Sequence, residues 1–127
     1  MIGYVTLGTN DLDRAAEFYD AIAKEMGTGR MMEEEGYFIA WGDMGGGAGI
    51  AATKPFDKGK ASVGNGTMVA LQAKDPSQVD RIHALALELG GTDEGAPGPR
   101  GETFYAGYFR DRDGNKLNAF CMVGGEG

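Results

Sequence analysis

The second half of the chain repeats the first, and no other feature limits the possible folds as much. An offset of 64 places Tyr4 on Met68, Val5 on Val69, Leu7 on Leu71, Asp11 on Asp75 and Gly27 on Gly91. Further along, an offset of 68 places Tyr37 on Tyr105, Trp41 on Phe109, Asp43 on Asp111 and Ala51 on Ala119. The extra residues fit in the loops ahead of those later strands. Each copy reads as a strand, a helix and then three strands, the signature of an internal duplication.

In the first copy, residues 1–8 alternate as a strand. Leu12, Ala15, Ala16, Tyr19, Ile22, Ala23 and Met26 keep three- and four-residue spacing, one apolar stripe on a helix. Asn10 is placed to cap that helix, and Asp11 and Asp13 suit its positive end. Gly27 and Gly29 stop it. Strands are predicted near 30–34, 36–41 and 48–52, and residues 53–66 are polar and turn-rich. The second copy opens with a strand over 67–73. Asp75 then caps a helix with Pro76 at its first position and Gln78 reaching back. Val79, Ile82, Leu85, Ala86 and Leu89 form its stripe, and Gly90-Gly91 end it. Strands follow near 92–94, 103–110 and 116–123, with Asp113-Gly114 signalling a hairpin before the last.

One helix covers only one face of a four-stranded sheet, so the other face needs a second unit, a partner chain or a ligand. The expected architecture is α+β: two βαβββ units pairing into a curved mixed sheet around a concave pocket, the default place for a small molecule. The expected boundaries are a single domain over 1–127, with unit one at 1–55, a connector at 56–64, unit two at 65–123 and a tail at 124–127.

Composition narrows the function. Twenty-three glycines in short runs suit tight turns. Cys121 is the only cysteine, which fits a reducing compartment. No apolar run reaches the ~20 residues of a membrane span. No signal peptide is visible, so a cytoplasmic protein is expected. A net charge of −7 argues against nucleic acid as a partner. It favours solubility, or an acidic cleft that draws cations.

Three segments carry a resemblance to a known family: Asn10-Asp11-Leu12 with Phe18-Tyr19 after the opening strand; Gly64-Asn65-Gly66-Thr67 leading into Val69-Ala70-Leu71; and Arg110-Asp111-Arg112-Asp113-Gly114-Asn115-Lys116-Leu117. In this order the chain resembles, over essentially its whole length, the vicinal oxygen chelate proteins, the glyoxalase / bleomycin-resistance / dioxygenase superfamily. The resemblance implies metal-ligand positions at Tyr4, Met68 and Asn118, with Ile50 opposite Asn118 as a fourth. None of these is His, Asp, Glu or Cys. A phenolate is unfavourable by about 4 kcal/mol at pH 7, given a tyrosine pKa of ~10. A thioether suits Cu(I) rather than the usual divalent ions. The expectation is therefore no metal and no cofactor.

Other candidates have plainer readings. His83, the only histidine, lies in the second helix and cannot make a metal site alone. Cys121 reads as a buried core thiol. Asp111 and Asp113 read as turn residues. Glu33-Glu34-Glu35 reads as a solvated turn or a cation-attracting rim, and Gly45-Gly46-Gly47 as a flexible loop. The expected ligand pocket comprises Tyr4, Thr6, Trp41, Ile50, Phe56, Met68, Ala70, Tyr105, Tyr108, Asn118 and Phe120. The resemblance implies a homodimer that holds a small organic molecule, cationic or aromatic, without metal. The alternative is a lyase-, isomerase- or dioxygenase-like enzyme that uses Tyr4 as acid/base or holds a metal elsewhere.

Overall fold

A computed structural model describes residues 1–124, so the end of the expected tail lies outside the described residues. The chain divides into two compact units, Met1–Gly64 and Asn65–Gly127. Unit one contains β1 (Tyr4–Gly8), α1 (Leu12–Glu25), β2 (Arg30–Glu34), β3 (Phe38–Asp43) and β4 (Gly46–Thr53). Unit two contains β5 (Val69–Gln72), α2 (Pro76–Glu88), β6 (Thr92–Pro99), β7 (Phe104–Arg110) and β8 (Lys116–Met122). The strand orders are β1-β4-β3-β2 and β5-β8-β7-β6. In each sheet the first strand pairs in parallel with the last, and the remaining pairs are antiparallel.

In unit one, α1 buries Phe18, Tyr19 and Ile22 against the sheet. The rings of Tyr19 and Trp41 lie 5.3 Å apart, and the Trp41 indole N–H donates to Asp20 Oδ1 at 2.7 Å. Phe18 and Trp41 are 1% and 2% exposed, and burial of side chains this large stabilises by roughly 2–3 kcal/mol each. The helix cap is Asp11, whose carboxylate accepts from the Arg14 amide at 3.1 Å. Asn10, the expected cap, instead clamps the connector: its Oδ1 accepts from the Ala61 amide at 2.7 Å and its Nδ2 donates to the Ala61 carbonyl at 3.3 Å. Either side chain can cap, and the tertiary clamp decides between them. Two of the three central glycines, Gly46 and Gly47, lie in β4 rather than in a flexible loop.

In unit two, Asp75 caps α2 by accepting from the Gln78 amide at 2.8 Å, and Gln78 Oε1 accepts from the Lys74 amide at 2.8 Å. Val79, Ile82 and Ala86 of α2 are fully buried, as are Phe109, Leu117 and Ala119 of the sheet. The β6 strand runs to Pro99, well past its predicted end. Its Gly/Pro-rich sequence hides a strand that is tolerated because it lies at the sheet edge and shifts register twice. Asp111 organises the β7–β8 turn, with Oδ1 accepting from the amides of Asp113 at 3.0 Å and Asn115 at 2.9 Å.

The registers correct one part of the repeat. Val5 pairs with Ile50 and Trp41 with Ile50, whereas Val69 and Phe109 both pair with Leu117. Ile50 is therefore the counterpart of Leu117, and the counterpart of Asn118 is Ala51. Counted between register partners, Phe109 to Leu117 is one residue shorter than Trp41 to Ile50, where the pairing of β3 shifts between Trp41 and Asp43. A slip of one residue moves a side chain to the opposite face of a strand.

Candidate functional site

Each sheet has a face covered by its helix and a face turned away from it, and the registers sort the candidate residues between them. In unit one, Trp41 is under α1, so its register partners Ile50 and Val5 share that face. Trp41 and Ile50 are therefore removed from the expected pocket: they belong to the helix-side core. Tyr4 and Thr6 alternate onto the other face beside Gly49 and Ala51. Tyr4 is 48% exposed. Thr6 joins Phe56 in lining a cavity of about 430 Å³, and Phe56 itself is 92% exposed.

In unit two, Tyr105 is also on the helix side. Its hydroxyl donates to Asp80 Oδ1 of α2 at 2.7 Å, and that carboxylate beside it raises the phenol's pKa. Tyr105 thus leaves the expected pocket as well, for the same reason as Trp41: the pleat of its strand turns it toward the helix. The other face holds Ala70, Asn118 and Tyr108 side by side in register, with Phe120 and Lys116 two residues either way along β8. Phe120 stacks on Phe104 at 5.3 Å. The Tyr108 ring carries two cations, the Arg100 guanidinium at 5.5 Å and the Lys116 ammonium at 5.6 Å. Such contacts are worth roughly 0.5–1 kcal/mol at exposed sites. Sequence reasoning missed Arg100 because it comes from the loop after the edge strand. Met68, just before β5, is 41% exposed.

Asn118 is the unusual member of this face. It is 1% exposed, and its Oδ1 has no hydrogen-bond partner among the described residues. A buried acceptor left unpaired costs about 1–3 kcal/mol. Such a group in a native protein calls for an explanation, and a donor brought by a bound molecule is one.

The remaining titratable groups sit elsewhere. Asp13, Glu17, Glu33, Glu34 and Glu35 line a cleft of about 250 Å³ on the helix side of unit one. Arg30 enters it, pairing with Asp20 at 2.8 Å and Glu33 at 3.3 Å. The hydrogen bond from Arg30 is the main reason the Asp20 carboxyl is held below the usual range. His83 is buried in unit two, with Nε2 2.9 Å from Asp93 Oδ1 and its ring edge-on to Phe109. The amide of Gly95, and then the His83 ring, lower the Asp93 carboxyl. Cys121 is buried; desolvation first, then the charge of Asp75, pushes its thiol up.

At the positions where the family resemblance puts metal ligands stand a phenol (Tyr4), a thioether (Met68) and an amide (Asn118), with Ala51 rather than Ile50 as the fourth. That set supplies neither a carboxylate nor an imidazole, the donors that divalent ions favour, so these residues do not fit such an ion. Among the described residues no three His, Cys, Asp or Glu side chains cluster where they could hold a metal ion. No described helix is long and apolar enough to cross a membrane.

With two βαβββ units and these faces in view, the wider likeness is plain. The sequence matches the family model of the Glyoxalase/Bleomycin resistance protein/Dioxygenase superfamily over residues 1–119, and the chain belongs to that superfamily. A glyoxalase/bleomycin resistance protein from Albidiferax ferrireducens T118 is 33% identical, with a TM-score of 0.87 over 95% of this chain and 98% of that one. Two others share the fold at lower identity. Lactoylglutathione lyase from Agrobacterium tumefaciens is 18% identical, with a TM-score of 0.69 over 95% of this chain and 92% of its own. A glyoxalase/bleomycin resistance protein/dioxygenase family enzyme from Burkholderia phytofirmans PsJN is 14% identical, with a TM-score of 0.75 over 95% and 98%. No curated protein matches the chain.

Proposed function

We propose that the protein binds a small organic molecule without a metal, and that the guest is a flat apolar compound with a hydrogen-bond donor. The observation that carries this reading is the buried, unpaired Oδ1 of Asn118. Around it, Tyr108, Phe120 and Phe104 offer ring faces for a guest to lie on. The neutral donor set at the family's ligand positions supports binding rather than Lewis-acid activation. The two cations on Tyr108 disfavour a positively charged guest on this face, so the aromatic half of the expectation has the better support. The apolar side chains of Met68 and Met122, 41% and 62% exposed, support the further proposal that a second copy of the chain pairs with the first.

The test is a thermal-shift screen of phenols, anilines and indoles, followed by calorimetric titration of any hit against the parent protein and Asn118→Leu. The substitution removes the unpaired acceptor while keeping the side chain's shape. Binding should be lost while the melting temperature holds or rises, because an isosteric apolar replacement of an unsatisfied buried group is neutral to stabilising. A variant that binds every hit as tightly as the parent would sink the reading. Light scattering on the eluting peak should give about twice the 13.4 kDa chain mass; a monomer at all concentrations would dismiss the pairing.

A further inference from the structure

We infer that the connector of unit one forms a second binding pocket, selective for small aromatic carboxylates, in which Lys54 and Lys58 meet the anion beside the rings of Phe56 and Tyr37. The starting point is a cavity of about 460 Å³ lined by those four side chains together with Thr9 and Asn10. Its volume suits a one-ring guest with room to spare. All of its lining residues belong to unit one, and none of them is a residue of the Asn118 face.

Charge is the first argument. The chain carries −7, yet residues 54–60 hold three lysines and one aspartate. Neither the Lys54 nor the Lys58 ammonium has a hydrogen bond or ion pair with a described residue. The one acid of the segment, Asp57, is absent from this cavity's walls; its Oδ1 accepts from the Gly59 amide at 2.8 Å, and it lines the neighbouring cavity on the Thr6 side. The pocket therefore presents two cations and no carboxylate.

Rigidity is the second argument. A polar connector left to itself is mobile and forms no lasting cavity. Here the clamp from Asn10 to Ala61 fastens the far end, with the Ala61 side chain packed 3.1 Å from where a Cβ on Gly8 would lie. Lys58 is the only described non-glycine residue with a positive φ, 65°. An unbranched side chain in that region costs about 1–2 kcal/mol, and glycine stands free of that strain one residue later. Residues held against their preference cluster at functional sites, and here such a residue is a lysine in the cavity wall.

Phe56 is the third. At 92% exposure it is a large ring that buries almost nothing. It borders both cavities, in company with Tyr37 and Lys54. An aromatic guest would cover it while its carboxylate met the ammonium groups.

Three probes with one ring and different charge separate the possibilities: benzoate, benzamide and benzamidine. Each is titrated into the full-length ¹⁵N-labelled protein at low salt while amide resonances are followed. Benzoate should move the amides of residues 54–60 saturably. Benzamide should bind there several-fold more weakly, and benzamidine should leave those amides still. Lys58→Gly removes the ammonium and relieves the backbone, so benzoate should bind about fivefold more weakly with no fall in melting temperature. Lys54→Met should weaken benzoate similarly. If Lys58 served only the turn, its replacement by glycine would leave the benzoate affinity unchanged, and that result would overturn the proposal. Equal response to benzamidine would do the same. Shifts confined to Tyr108 and Asn118, with residues 54–60 silent, would dismiss the connector pocket and leave the reading of unit two standing.

Discussion

Single residues in both units have effects that their type does not advertise. Gly49 has no room for even a methyl group: a Cβ there would lie 2.6 Å from Met31 Cε and 2.7 Å from the Trp41 carbonyl oxygen. The methionine can swing aside but the backbone oxygen cannot. Gly49→Ala should lower unfolding free energy by about 1–3 kcal/mol in urea titration. Gly46→Ala, whose nearest neighbour is 4.0 Å away, should be near neutral. Asp20 is a second case. Its carboxyl is lowered mainly by Arg30, so its stabilising effect is full above the unfolded pKa of ~3.9 and disappears as pH falls through the lower folded value. Asp20→Asn, which keeps an acceptor for the Trp41 indole, should cost no more than ~1 kcal/mol at pH 7, since solvent screens a half-exposed pair. The gap between parent and variant should close as pH falls through that lower folded value, below which both side chains are neutral. Cys121 completes the set: buried and with its thiol pushed up, it should react with a thiol reagent only as the protein unfolds.

At the scale of elements, the helices were legible and the edges of the sheets less so. Three- and four-residue apolar spacing marked α1 and α2 to within a residue or so, because each buries one stripe and local chemistry sets its ends. Asp75 illustrates the rule. Asp75→Ala should destabilise by about 1 kcal/mol in the same urea titration, the usual effect of losing an N-cap. Asn10 illustrates the limit, since its partner lies fifty-one residues away and no local pattern announces it. The length of β6 was hidden by Gly95, Pro97 and Pro99, residues that an edge accepts and a central strand does not. Trp41, Ile50 and Tyr105 were assigned to the pocket as aromatic or aligned positions. Period-two alternation, anchored on the residues that touch each helix, turns them to the other side. Asn118 was legible as a position, but its missing partner emerges only from burial.

At the scale of the whole molecule, family membership was readable from ordered motifs, whereas the chemistry rests on a few substitutions within them. If the donor set is as poor for divalent ions as its chemistry indicates, a chelator should leave both the melting temperature and the affinity for any screened guest unchanged. A drop of several degrees on adding EDTA, restored by one equivalent of zinc or manganese, would contradict the metal-independent reading.

The one-residue difference in register between the two hairpins also bears on how the two halves came to differ. A hybrid chain made from unit one joined to itself would carry alanine at this place in both last strands, whereas unit two joined to itself would carry the asparagine twice. Grafting β8 alone behind the longer hairpin of unit one would slip its pairing by one residue and swap inside for outside along the whole strand. The doubling is thus recorded in the fold, and a strand keeps its faces on exchange only if its own hairpin travels with it.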